Sequence, residues 1–292
     1  MNYTYLNYPA LIENRKSVRA FRDKAVPTVA VEEIQEFYAK KCHRLVPDIE
    51  TELVVMGTRA QKALEGTAGY EEFLVGAPQY LVLLSETRPH AAENAGYMME
   101  DLVLKLTDMG YGTCWITFSD AAEVTKALQL ESKLQVAAIV AFGYGERTAR
   151  KLRLNIKSMS HVDVEAERYY YSHKKDINEL VYLNELGNTE GVEEHIGFYD
   201  DMLWQAFYAV AQAPSYLNRQ PYAFVIRDHE IVLLRLADAY TDDHSAALNL
   251  GIAMSHFSAL AGSYVGNVVW NLTPDTKMDL PAGASIVAAF AV

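Results

Sequence analysis

The chain runs twice through nearly the same succession of helices and strands. In the first pass, residues 31–41 read as a helix and 52–56 as a short strand closed by Gly57. After a small helix, the apolar run 80–84 reads as a buried strand. Ala95, Met98, Met99, Leu102, Val103, Leu106 and Met109 then recur at helical spacing up to Gly110, where a helix stop belongs. Residues 113–116 are extended, a polar helix reaches about position 130, and 136–143 read as a central strand. The second pass has a helix over 197–212, a hairpin of 223–226 with 231–234, and a helix over about 245–261 closed by Gly262. An extended 265–270 and a final apolar run over 285–292 complete it. Pairing Leu84 with Leu234, Gly110 with Gly262 and Phe142 with Phe290 gives offsets of 150, 152 and 148. A diverged duplication explains this; a domain that simply alternates helices with strands offers the same landmarks. Residues 146–173, rich in basic side chains and three consecutive tyrosines, read as a connector, so the expected units are 1–160 and 161–292.

Composition narrows the function. The formal net charge is −12, which argues against nucleic acid, whose binders draw most of their affinity from neutralised phosphates. Two cysteines, Cys42 and Cys114, give no disulfide framework and suit a reducing compartment. No basic-then-apolar leader opens the sequence and no apolar run reaches spanning length, so a cytoplasmic protein without membrane contact is expected. The histidines lack metal-ligand spacing, and no Gly-x-Gly-x-x-Gly or Walker loop is present, so no metal and no Rossmann or P-loop nucleotide are expected. Adjacent Cys42 and His43 are poorly placed to act as nucleophile and base, and Cys114 within an apolar segment reads as packing.

Three segments hold the chemistry. In Arg15-Lys16-Ser17-Val18-Arg19-Ala20-Phe21, the alternation of Arg15, Ser17 and Arg19 places them on one face of an extended chain. Two guanidinium groups and a hydroxyl there suit a phosphate; a solvated basic turn has the same spacing. In Ala213-Pro214-Ser215-Tyr216-Leu217-Asn218-Arg219-Gln220-Pro221-Tyr222, Pro214 stiffens a turn after a helix. Ser215, Asn218 and Gln220 add groups able to meet a polar ring edge. A helix stop followed by a polar loop and an edge strand is the other reading. The third segment is Met109-Gly110-Tyr111-Gly112-Thr113-Cys114-Trp115-Ile116.

Together these segments resemble the flavin-dependent nitroreductase family, whose patterns Arg-(Arg/Lys)-Ser-x-Arg-x-Phe, Pro-Ser-x-x-Asn-x-Gln-Pro-(Trp/Tyr) and Leu-Gly-x-Gly-Thr-Cys-Trp-Ile they match or nearly match. The resemblance implies an α+β, nitroreductase-like sandwich with mainly antiparallel central sheets flanked by helices. It implies bound FMN, held by Arg15, Lys16, Ser17 and Arg19 on one wall and Pro214, Ser215, Asn218 and Gln220 on the other. Trp115, Thr117 and Phe118 would lie near the ring, and Arg150 and Lys151 would reach back to the phosphate. Relatives often have small residues at the positions of Thr117 and Phe118, so a bulky Phe118 would either narrow the pocket or supply a stacking face.

The family's homodimers take the phosphate clamp from one subunit and the Pro-Ser turn from the other. This chain has each once, and Cys42-His43-Arg44-Leu45-Val46-Pro47 stands where a first-half turn belongs. The expected assembly is therefore a monomer acting as a fused pseudo-dimer with one flavin site, with further oligomerisation open. NADH or NADPH would reduce the flavin, and a small-molecule acceptor such as a nitroaromatic or quinone would then reoxidise it. No catalytic side chain is expected, because flavin N5 handles the hydride. Flavin-dependent dehydrogenation, dehalogenation or flavin destruction, and a non-catalytic flavin-binding scaffold, are the alternatives.

Overall fold

The computed structural model describes residues 6–70, 73–146, 151–158, 161–167, 174–198 and 201–292. Strands β1 (Thr51–Gly57), β2 (Gln79–Ser85), β3 (Gly112–Ile116) and β4 (Gln135–Gly143) form a fully antiparallel sheet in the order β1-β2-β4-β3. The unbroken apolar runs of β2 and β4 fit their place, since both strands are covered on both faces. Leu81, Leu83, Val140 and Phe142 face helices α2 (Thr28–Lys40) and α4 (Ala91–Asp108). The alternate residues Tyr80, Val82, Leu84 and Ile139 face α3 (Arg59–Leu64) and α5 (Ala121–Ala127).

The second sheet has the order β10-β9-β8-β7, built from β7 (Val181–Leu183), β8 (Tyr222–Arg227), β9 (Glu230–Arg235) and β10 (Ser285–Ala291). It is antiparallel except where β7 runs parallel to β8. Helices α6 (Val192–Phe198), α7 (Asp201–Gln212) and α8 (Asp243–Val265) accompany it. Its core is aromatic: Phe207, Phe224, Phe257, Trp270 and Phe290 interlock, Phe257 and Trp270 edge-on with centroids 5.3 Å apart. Burying each such side chain contributes roughly 1.5–3 kcal/mol. The N-terminal helix α1 (Tyr8–Asn14) joins this second core through Tyr8 and Ile12, so a helix from the start of the chain is built into the core of the second sheet.

The two sheets repeat one plan. The series α2-β1-β2-α4-β3-β4 is matched by α7-β8-β9-α8, Asn271, β10, with Asn271 bridging Ala289 on β10 where β3 pairs with β4. Helices α4 and α8 pack together through glycine. A Cβ on Gly96 would lie 2.3 Å from the Leu248 carbonyl oxygen, and one on Gly251 would lie 2.0 Å from that of Glu93. Gly96 and Gly251, and likewise Glu93 and Leu248, are both 155 residues apart, so the contact is reciprocal, as across a two-fold axis. Asn94 and Asn249 share the offset. Asn94 Oδ1 accepts from the Val46 N–H at 3.0 Å, and Asn249 Oδ1 accepts from that of Tyr216 at 2.9 Å.

Several expected elements differ. The connector over 146–173 contains an antiparallel pair, β5 (Lys151–Ser158) and β6 (His161–Glu167). Leu152, Leu154 and Ile156, then Val162, Val164 and Ala166, alternate with polar residues, a period of two hidden by the charge density. Of the helix expected over 197–212, residues 201–212 form α7 and the described span of α6 ends at Phe198, with 199–200 outside the described residues. Residues 265–270 form no strand: α8 continues to Val265 and stops at Gly266, whose φ of 77° needs glycine.

Candidate functional site

The first motif begins where α1 ends. Arg15 is extended, Ser17 bridges Thr113, and the Val18 N–H donates to the Thr113 carbonyl at 2.8 Å. Val18 turns inward over Gly112, where a Cβ would lie 2.6 Å from its Cγ2; Lys16, Ser17 and Arg19 are exposed. The first and third segments thus run side by side, although nearly a hundred residues separate them. Arg15 behaves differently from its neighbours. Its side chain is 7% exposed, its Nε is 3.6 Å from Glu100 Oε1, and that Nε has no hydrogen-bond partner.

Glu100, on α4, is fully buried. Trp115 Nε1 donates to its Oε2 at 3.0 Å, and His256 Nε2, from α8, lies 3.0 Å from its Oε1. His256 Nδ1 is 2.8 Å from the Ala209 carbonyl oxygen on α7. Beside this group, Lys174 Nζ donates to the Ala213 carbonyl at 2.8 Å, at the entry to the second motif. Burial, reinforced by the Arg15 guanidinium, pushes the Lys174 ammonium down to about 8. Arg15, Trp115 and the start of the Pro-Ser turn therefore meet at the seam between α4 and α8.

The second motif is a strained turn. Leu217, Asn218 and Gln220 have φ values of 48°, 58° and 47°, a conformation costing L-residues of order 1–3 kcal/mol each and concentrated at functional sites. Hydrogen bonds hold it. Ser215 Oγ accepts from the Gln220 N–H at 2.9 Å, and Asn249 supports Tyr216 from below. Gln220 is fully buried; its Oε1 accepts from the Lys175 N–H at 2.9 Å and its Nε2 donates to the Ala211 carbonyl at 3.0 Å. Both ends of the amide are thus used in shaping the turn. Pro214 is buried beside it. Asn218 lines a cleft of about 400 Å³ with Lys175, Leu217, Arg219, Pro221 and Asp238, which no first-motif residue lines. Asn249 Nδ2 is buried and has no partner.

Thr117 and Phe118 close the third segment against a loop from the same half. The Thr117 hydroxyl donates to the Gly69 carbonyl at 3.0 Å, the Gly69 N–H donates to the Thr117 carbonyl at 2.7 Å, and Phe118 bridges Ala68. The Phe118 ring is buried 5.2 Å from that of His244, while Tyr70 meets Tyr216 edge-on at 6.4 Å. The loop thus links the third segment to the second motif. Arg150 lies outside the described residues, as does the side chain of Lys151.

Neither thiol is activated. Burial raises the Cys42 thiol well above its ordinary value and also raises that of Cys114, while His43 is bound to Asp101. Among the described residues no His, Cys, Asp and Glu cluster is arranged for a metal ion, and no helix is long and apolar enough to cross a membrane. Sequence reasoning missed Glu100, Lys174, Asn249 and His256. Two signals were present: consecutive acids, Glu100 and Asp101, inside an apolar helix, and Asn-x-Gly repeated at 94–96 and 249–251.

The family model described as "Putative TM nitroreductase" matches residues 8–261. A crystal structure of a putative nitroreductase from Thermotoga maritima aligns with TM-score 0.59 and 18% identity over 98% of this chain and 94% of that one, showing the same fold. A nitroreductase family protein from Clostridium novyi aligns at 0.43 and 20% identity over 48% of this chain and 86% of its own. A Bacteroides fragilis nitroreductase with bound FMN aligns at 0.41 and 20% over 55% and 99%. No curated protein matches the chain.

Proposed function

Because the chain belongs to that nitroreductase family, we propose that it binds one FMN between the first motif and the Pro-Ser turn and works as an NAD(P)H-dependent oxidoreductase. The observation that supports this most is a pair of buried donors without hydrogen-bond partners, Arg15 Nε and Asn249 Nδ2, one behind each wall. Buried polar groups are nearly always paired, and a ligand with acceptor atoms accounts for both. The only other such side-chain atom among the described residues, His90 Nδ1, lies at the start of α4.

Arg15, Ser17 and Arg19 would hold the phosphate, two guanidinium groups giving charge-assisted bonds and the hydroxyl a third. Lys16 would add positive charge near it. Asn218 and Asn249 would orient the ring, Ser215 and Gln220 would keep the strained turn in shape, and Phe118 would narrow the approach. Bound flavin would supply the hydride-accepting and hydride-donating centre, so these side chains position, tune and shield rather than react. A nicotinamide and then a nitroaromatic or quinone acceptor would use the same open face in turn. The halves would be a diverged duplication that acts as a fused dimer with one site retained.

The visible spectrum of the purified protein, followed by FMN titration of the apoprotein, tests the binding. One flavin per chain is expected, and two equivalent sites would overturn the single-site reading. Steady NADH or NADPH oxidation with a nitroaromatic or quinone tests the reaction. Bound flavin without turnover would point to other flavin chemistry, and a colourless protein that takes up no FMN would point to a scaffold.

A further inference from the structure

Counting protons at the α4–α8 seam fixes the charge facing Arg15. The Ala209 carbonyl only accepts, so His256 Nδ1, 2.8 Å away, bears a hydrogen. His256 Nε2 and Glu100 Oε1 are 3.0 Å apart with both residues fully buried, so a proton must lie between them rather than two opposed lone pairs. The Trp115 indole only donates, so Glu100 Oε2 accepts and is not where that proton sits. The Glu100–His256 pair is therefore neutral overall, as imidazolium with carboxylate or as imidazole with carboxylic acid.

Among the described residues, the ionisable groups that interact with Glu100 besides His256 include Arg15 from the end of α1, Lys174 beside Ala213, and Tyr222 on β8. Arg15 and Arg19 also act on Cys114 of β3. With Glu100 neutralised by His256, the positive charge of Arg15 is not cancelled by the carboxylate 3.6 Å from its Nε.

We propose that His256, reaching across the seam from α8, neutralises Glu100 and so keeps the charge of Arg15 available to an anionic ligand; this rests on the phosphate-clamp reading above. His256 is a positioning residue, since it acts on the ligand only through Glu100 and Arg15. Without it, Glu100 becomes an uncompensated buried carboxylate that strengthens its ion pair with Arg15, 3.6 Å away, and competes with the phosphate.

The test is the ratio of FMN affinity to riboflavin affinity, which isolates the phosphate, measured by flavin fluorescence at one pH for the full chain and its variants. His256→Gln should lower the ratio about tenfold, the scale of one charge-assisted hydrogen bond. Adding Glu100→Gln in that background should restore it, because the charge is then removed from both sides. An unchanged ratio in His256→Gln overturns the proposal, and so does a fall that Glu100→Gln leaves in place, which is what a purely structural role gives. If His256→Gln does not fold, Glu100→Gln alone decides: a ratio at or above the parent supports the proposal, and a lower one overturns it. A parent protein that binds FMN no better than riboflavin overturns the phosphate-clamp reading itself, and the role of His256 with it.

Discussion

The turns that follow α2 and α7 occupy matching places in the two halves, yet one is sealed and the other is open. After α2, Asp101 accepts from the Tyr8 hydroxyl at 2.8 Å and from the His43 N–H at 2.9 Å, and Arg44 Nη1 donates to Thr51 Oγ1 at 2.7 Å. Asn94 takes the Val46 N–H on its oxygen and gives its Nδ2 to Met98 Sδ at 3.4 Å. After α7, Asn249 makes the same backbone bond, but Ala253 stands 155 residues from Met98 and its Nδ2 has no partner. The strain differs too. No residue from 41 to 50 has positive φ, against three in the second turn. One scaffold position thus takes two forms: in the first half its polar atoms are satisfied within the fold, and in the second a buried donor is left over, which is what the proposed flavin site requires.

The equivalence of the halves rests most heavily on the helix seam. Gly96→Ala and Gly251→Ala should each cost about 3 kcal/mol in urea unfolding, since a Cβ at either site meets backbone that cannot swing aside. Similar losses are expected from the two, and a large loss from one alone would break the two-fold picture. The asymmetry of function is probed by the asparagines. Asn249→Leu should weaken FMN binding roughly 30-fold, about 2 kcal/mol for a lost buried donor, while Asn94→Leu leaves it within about twofold. Both should cost about 2 kcal/mol of stability, because each strands a backbone N–H. Equal damage to flavin affinity would mean that the first-half turn is not sealed.

What the sequence reveals follows from the range of the interactions involved. Strands β2 and β4 and helix α4 are legible because burial on both faces, or along one stripe, writes itself into local periodicity. Arg15, Ser17 and Arg19 stand out as donors, but not that Arg15 alone of the three would be buried against an acid on α4. That depends on Glu100, whose partner His256 lies 156 positions away. Gln220 has the chemistry of a ring contact, and only the fold shows its amide closed on Lys175 and Ala211. In β5 and β6 the period was present, and charge obscured it.

The smallest expected effect concerns pH and the open half alone. Lys174 keeps its ammonium only below about 8, against 10.5 for a free lysine, through burial and then Arg15. Between these values the unfolded chain holds a proton that the native one has lost, so stability rises as pH goes from 8 to 10.5. Binding an anion at the seam has the opposite preference, because it favours the charged lysine. FMN affinity relative to riboflavin should therefore be full well below pH 8 and fall about threefold by pH 9.5, the decline centred a little above 8. Lys174→Met should flatten that profile and also remove the rise in stability. A decline that survives this change would place the titrating group elsewhere and separate Lys174 from the anion site, leaving Arg15 as the cation that distinguishes the open half from the sealed one.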